Sequence, residues 1–235
     1  MKTLITICVA FTVISAASAQ STFGVQQSIS TNADYAFSVY AADLDGDGDA
    51  DALSASWYDD KIAWSENVGA GNGINGGCFA MEEIITTNAD GARSVFAIDL
   101  DNDGDIDVLS ASFGDHKIAW YENLGAGNGI AGGRFGAQQV ISTLANDPTC
   151  VYAIDIDSDG DADVLSASYL DDKIAWYENL GGGSFGLQQV ITISANGTYS
   201  VYATDIDGDG DPDVLSASRH DNKIAWYENV GAGNG

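Results

Sequence analysis

An all-β fold built from repeated four-stranded units is what this sequence predicts, and three observations carry the prediction. The first is repetition: "DLDGDGDADALSAS" from Asp43 returns as "DLDNDGDIDVLSAS" from Asp99, "DIDSDGDADVLSAS" from Asp155 and "DIDGDGDPDVLSAS" from Asp205. The second is composition between those stretches, where short runs rich in Val, Ile, Tyr, Trp and Thr suit a pleated surface and no helical period competes. The third is the period. The copies recur every 50–56 residues, the length of a four-stranded propeller blade and far longer than one coil of a β-helix.

Each unit divides into the same segments. A first strand such as "CVYAIDI" is apolar at consecutive positions, as expected for a strand covered on both faces. The Asp-rich loop follows, then "DVLSAS", a polar turn such as "YLDD" or "RHDN", and the strand "KIAWYEN". A Gly-rich link, "GAGNGINGG" in its longer form and "GGGS" in its shorter one, leads to a Phe-initiated strand such as "FGLQQVIT". Insertions of this kind are what a surface connection tolerates. Blades of a propeller pack face to face around an axis, so Trp64, Trp120, Trp176 and Trp226 are expected between blades rather than stacked on a ligand.

Counting the N-terminal "FGVQQSIS" gives sixteen strands, enough for a closed ring of four blades. The chain also stops inside a linker that twice leads to a further strand, which predicts a part of a larger ring. Both architectures are expectations at this point.

Residues 1–19 have the layout of a secretory signal peptide, with Lys2, an apolar run from Leu4 to Ile14, and small residues at Ala17 and Ala19. The repeat domain is then residues 20–235, expected to be secreted and extracellular with no membrane span. Eight Lys and Arg stand against 35 Asp and Glu, a net charge of −27 that disfavours nucleic acid and anionic membranes as partners. Twenty of those acids sit in the four Asp-rich stretches, and 45% of residues are hydrophobic, so the charge is concentrated on a chain able to form a core. Cys78 and Cys150 fall at non-equivalent places in the repeat and are expected to be unpaired. Asn196-Gly197-Thr198 is an N-glycosylation sequon.

The aspartates follow a spacing with chemical meaning. Asp43, Asp45, Asp47, Asp49 and Asp51 occupy positions 1, 3, 5, 7 and 9 of a loop, with Gly48 at position 6. Asp99, Asp101, Asp103, Asp105 and Asp107 repeat the pattern, as do Asp155, Asp157, Asp159, Asp161 and Asp163, and Asp205, Asp207, Asp209, Asp211 and Asp213. Alternate oxygen ligands around a sharp Gly turn are how a Ca²⁺ loop is built, and a ligand set without His or Cys favours Ca²⁺ over zinc or copper. Position 12 excludes an EF-hand. It holds Ser54, Ser110, Ser166 and Ser216 inside strand-like "LSAS", where the helical Ca²⁺ loop needs a bidentate Glu. About four structural Ca²⁺ ions are expected.

The Asp-x-Asp-x-Asp-Gly-x-x-Asp loop between strands, with Phe-Gly opening units at Phe23-Gly24, Phe135-Gly136 and Phe185-Gly186, resembles the FG-GAP repeats of integrin α-subunit propellers. The "KIAWYEN" strand is similar to VCBS-type repeats of secreted proteins. The resemblance spans the mature chain and implies a Ca²⁺-stabilised propeller. It implies side-chain ligation by positions 1, 3, 5 and 9 of each loop and carbonyl ligation by Asp49 and its equivalents. The second unit departs with Phe79-Ala80, and no Gly-Ala-Pro is present, so integrin-type ligand binding does not carry over.

Turns such as "WYDD", "FGDH", "YLDD" and "RHDN" differ between copies on a constant frame. That pattern suits a binding or adhesion platform for an extracellular protein or glycan. The alternatives are the propeller domain of a secreted hydrolase or lyase, and a spacer within a larger protein. Catalytic residues are not assigned. His116 and His220 are isolated turn residues, the "LSAS" serines lack a nucleophile elbow, and Glu66, Glu122, Glu178 and Glu228 recur in every copy, as structural residues do.

Overall fold

A computed structural model describes residues 25–69, 78–125 and 134–231. The predicted leader and the Phe23-Gly24 pair lie outside these residues. Among the described residues the chain is all-β and no helix is long and apolar enough to cross a membrane.

Blade 1 consists of β1 (Ala36–Ala42), β2 (Asp51–Ser56), β3 (Lys61–Ser65) and β4 (Glu83–Thr86). Blade 2 repeats it with β5 (Ala92–Ile98), β6 (Asp107–Ser112), β7 (Lys117–Tyr121) and β8 (Gln139–Ser142). Blade 3 holds β9 (Pro148–Ile154), β10 (Asp163–Ser168), β11 (Lys173–Tyr177) and β12 (Gln189–Thr192), and blade 4 holds β13 (Thr198–Thr204), β14 (Asp213–Ser218) and β15 (Lys223–Tyr227). Every pairing is antiparallel between chain neighbours, so each sheet is a simple meander.

Two bulges recur and both aim side chains. One residue of each inner strand is left without a partner: Phe37, Arg93, Thr149 and Tyr199. A second irregularity in the outer strands falls at Ile85, Ile141 and Ile191, and all three insert into the core.

The core is three separate clusters, each sandwiched between consecutive blades. Between blades 1 and 2, Leu44, Leu53, Ile62 and Trp64 meet Val95, Val108 and Tyr121. Leu44 and its counterparts Leu100 and Ile156 come from position 2 of the Asp loops, so the loops are anchored by apolar side chains as well as by charge. Phe135 packs edge-on against Trp64 at 6.5 Å, and Phe185 enters the next interface. The inner strands lie side by side, and Tyr40, Phe96, Tyr152 and Tyr202 stack in a row at 4.8–4.9 Å between ring centres.

The four blades form an open array. Val95, Val151 and Val201 are 3–4% exposed, but the equivalent Val39 on the leading face of blade 1 is 78% exposed. Ile62, Ile118 and Ile174 are fully buried while Ile224 on the trailing face of blade 4 is 79% exposed. The described blades therefore do not close into a four-blade ring. Among the described residues the sixteenth strand is also absent: residues 25–30 form no strand and β15 is left as an edge. Trp64 and Trp120 are buried between blades as expected, whereas Trp226 is 47% exposed for want of a following blade. Cys78 and Cys150 are both free.

Candidate metal centres

The Asp loops all lie at one end of the blades, where each inner strand turns into the second strand. Two positive-φ residues make the turn. Position 6 needs glycine, with φ of 96° at Gly48 and 102° at Gly210. Position 4 is left-handed as well, and Gly46, Asn102, Ser158 and Gly208 supply it with residues short enough to enter that region.

Within each loop the backbone donates to the carboxylates. Asp43 accepts from Gly46 N–H at 2.9 Å and, through its other oxygen, from Gly48 N–H at 2.9 Å. Position 9 is the most embedded. Asp107 is fully buried, and its two oxygens accept from Leu100 N–H at 2.9 Å and Asn123 N–H at 2.7 Å. Asp51, Asp163 and Asp213 make the same pair of bonds.

The structure brings positions 1, 3 and 9 together four times. Asp43, Asp45 and Asp51 each offer an oxygen within 4.8 Å of the others, as do Asp99, Asp101 and Asp107, then Asp155, Asp157 and Asp163, then Asp205, Asp207 and Asp213. Position 5 joins a cluster only in the first loop, where Asp47 meets Asp45 and Glu66. Asp103, Asp159 and Asp209 stay outside the groups of three, although each accepts from the N–H two residues on just as Asp47 does. The position 7 side chains turn away toward the Gly-rich links. Those of Asp49, Asp105 and Asp211 lie where a side chain at Gly69, Gly125 or Gly231 would fall, and Asp161 accepts from Asn102 of the preceding blade. A position 7 side chain so directed leaves only its carbonyl for the loop interior.

Charge at these clusters is uncompensated by protein groups. The lysines of the outer strands pair elsewhere: Lys61 with Asp59 and Glu82, Lys117 with Asp115, Lys173 with Asp171 and Lys223 with Asp221. Burial pushes Asp107 up to about 7 and Asp163 to about 6, neighbouring carboxylates add to the rise, and backbone N–H groups only partly counter it. Asp51 and the position 3 residues Asp45, Asp101 and Asp157 are raised by burial and by the same repulsion. Asp213 goes the other way. Burial still raises it, but the N–H groups of Asn229 and Ile206 together outweigh that. A hard divalent cation fits this donor set: it would neutralise the repelling carboxylates of positions 1, 3 and 9 and tie both ends of the loop together.

One residue essential to this rim was not singled out from the sequence as a site residue. The Asn of "WYEN" donates from its side chain to the preceding blade's Asp loop: Asn123 to Leu44 O at 2.8 Å, Asn179 to Leu100 O at 2.7 Å and Asn229 to Ile156 O at 2.9 Å. It also donates to its own loop, at Ile106 O, Ala162 O and Pro212 O. The Asn therefore clasps successive loops into one rim. Its recurrence in the "EN" that follows every "KIAW" strand was the available signal. The "LSAS" serines have an equally structural partner, with Ser110 3.3 Å from the Tyr121 hydroxyl and Ser166 3.2 Å from that of Tyr177.

The opposite rim is made by the second-to-third-strand turns and the starts of the inner strands. Its blade-to-blade ties come from the last turn residue. Asp60 accepts from Gly91 N–H at 2.9 Å and Asp172 from Gly197 N–H at 2.8 Å. His116 takes the same role, its Nδ1 lying 3.1 Å from Asp147 N–H. His220 meets the Tyr169 hydroxyl at 2.7 Å.

The repeats and loops place the chain in a family. The FG-GAP-like repeat matches residues 43–110, 99–166 and 155–216, and the chain belongs to that family. The FG glycine itself is dispensable: Ala80 N–H bonds Glu66 O just as Gly136 N–H bonds Glu122 O. No curated protein sequence matches the chain. Among solved structures, an Agrocybe aegerita lectin that recognises non-reducing terminal N-acetylglucosamine is 19% identical with a TM-score of 0.51, over 83% of this chain and 53% of the lectin. BBS1N, solved in complex with ARL6DN, is 13% identical with a TM-score of 0.52, over 84% of this chain and 59% of that one. The chain thus spans between half and two thirds of each, 53% and 59% of their lengths. The likeness is one of fold, a β-propeller-like array of antiparallel sheets.

Proposed function

We propose that this chain is a secreted calcium-binding β-propeller module whose turns form a binding or adhesion platform for an extracellular protein or glycan. The observation that carries the reading is the contrast between the rims. The Asp-loop rim holds the same carboxylate triad in all four blades, which suits a scaffold. The opposite rim carries different side chains in each blade, as recognition requires.

About four Ca²⁺ ions, one per triad, are the cofactor of this reading. Extracellular modules bind the ion with dissociation constants of roughly 10⁻⁴–10⁻³ M, which suits a secreted chain. The leader at residues 1–19 supports that location. A lectin and a protein-complex component among the structural neighbours support the use of such a fold as a platform.

The test is a glycan array probed with the folded protein in millimolar Ca²⁺ and again in chelator. A defined subset of glycans bound only with Ca²⁺ is expected. Turnover of a polysaccharide instead of retention would favour the hydrolase or lyase alternative, and no binding by a folded, Ca²⁺-loaded protein would remove the glycan reading.

A further inference from the structure

At the variable rim one cation is held in an unusual setting. Arg93, the unpartnered bulge residue of β5, has its guanidinium carbon 4.1 Å from the centre of the Phe113 ring, 4.6 Å from Trp57 and 4.9 Å from Phe37. A fourth ring, Tyr199, approaches to 5.4 Å from two blades away, across the small Thr149 of blade 3. The rings come from three different blades, so the fold assembles the cluster.

The guanidinium has aromatic walls and no acceptor. Among the described residues Arg93 makes no hydrogen bond or ion pair, and its Nε is buried without a partner. That is notable in a chain with 35 acids and 8 basic residues, where each outer-strand lysine is ion-paired. Burial also pulls Arg93 below its ordinary value, with Asp147 and nearby tyrosines only partly offsetting this. Stacking alone would satisfy the planar faces of the guanidinium and leave its rigid fork of N–H donors unused. Such a fork matches a carboxylate in two parallel bonds.

We propose that Arg93, walled by Phe37, Trp57, Phe113 and Tyr199, binds the carboxylate of an acidic sugar, a uronate or a sialate. The inference rests on the platform reading and names its site and ligand class. Exposed rings beside the cluster supply the stacking faces: Tyr35 and Tyr58 are 57% and 66% exposed and 4.9 Å apart. A single carboxylate on an otherwise neutral ring suits a chain of net charge −27, which repels polyanions. The bulge position carries Phe37, Arg93, Thr149 and Tyr199 in the four blades, so the site exists once.

The test titrates the Ca²⁺-loaded protein with methyl glucuronide and sialyllactose, against methyl glucoside and lactose as neutral counterparts, by saturation-transfer NMR and calorimetry. At least one acid is expected to bind and its neutral counterpart to bind at least tenfold more weakly. Arg93→Met should weaken the acid at least tenfold, and Arg93→Lys should restore part of it. Phe37→Ala, at the exposed edge, should weaken it severalfold without moving the unfolding midpoint, and so decides the matter should Arg93→Met fail to fold. Equal binding of acid and neutral sugar, or undiminished binding by folded Arg93→Met, overturns the assignment. If neither acid binds at millimolar concentration while the array shows other ligands retained, this inference falls and the platform stands. If nothing binds in either experiment, both fall.

Discussion

The two rims of this molecule are built from the same repeats to opposite rules. At the Asp-loop rim, every blade presents the same three carboxylates, the same left-handed turn and an Asn from the same strand. At the opposite rim, equivalent positions hold Trp57, Phe113, Tyr169 and Arg219 at one site and Phe37, Arg93, Thr149 and Tyr199 at another. Repetition at one end fixes geometry, because each loop has the same mechanical task. Variation at the other end gives a surface on which no two blades are alike. On the reading proposed above, stability falls to one rim and recognition to the other.

The largest test of that division is calcium removal. Four sites, each contributing ~1.4 kcal/mol at about ten times the dissociation constant, sum to roughly 6 kcal/mol. For a chain of this size that is a fall in midpoint of roughly 10–20 °C on chelation, read by scanning calorimetry. Mg²⁺ should not restore it. A midpoint indifferent to chelator would return the aspartates to solvated turns and dissolve the comparison.

Next comes a pair in the core between the rims. Ile118→Ala, at a fully buried site, should cost roughly 2–5 kcal/mol. Ile224→Ala, at the 79% exposed copy, should cost under roughly 0.5 kcal/mol. Equal costs in a monomeric sample, measured by urea unfolding, would show that the trailing face of blade 4 is covered in solution.

A smaller effect probes the clasp. Asn123→Ala strips partners from the Leu44 and Ile106 carbonyls and should cost roughly 1–3 kcal/mol. Among the described residues Asn67 donates from its side chain to Ala50 O of its own blade alone, so Asn67→Ala should cost less.

The pH dependence sharpens the electrostatic side. Asp107 and Asp163 are raised to about 7 and about 6 in the folded, metal-free protein, above the ordinary carboxylate value. In that window the folded state holds protons that the unfolded chain has released. Without calcium, the contribution of these two groups to stability is therefore fully present below about pH 4 and is lost as pH rises through 6 to 7. A calcium ion in these loops would need the deprotonated form, so its stabilising effect should grow over the same range. Midpoints measured from pH 4.5 to 7.5 with and without Ca²⁺ should diverge as pH rises, and parallel curves would contradict the shared site. Smallest of all is the variable rim: Tyr58→Ala, 66% exposed, should leave the midpoint unchanged within about 0.5 kcal/mol.

Much of the Asp-loop rim was legible because its logic is local. Ligand spacing, the glycine of the turn and the strand-like "LSAS" lie within fourteen residues. What could not be read is where each carboxylate points. Position 5 joins its neighbours only beside Glu66, and position 7 faces a link that is distant in the sequence. The Asn clasp needs a loop 79 residues away for Asn123, and the Arg93 cluster needs residues of three blades. His116 read as an isolated turn residue, yet it replaces an aspartate as the tie to the next blade.

By itself the sequence determined the all-β class, the four-segment unit, its repetition and the chemistry of the Asp loops, since strand propensity, turn glycines and ligand spacing act over a few residues. Tertiary structure alone decided how the blades combine. "KIAW" occurs four times with one local conformation, but Trp64 is 3% exposed and Trp226 is 47% exposed. Burial belongs to the neighbour and not to the strand, because each core cluster is built from side chains of two blades at once.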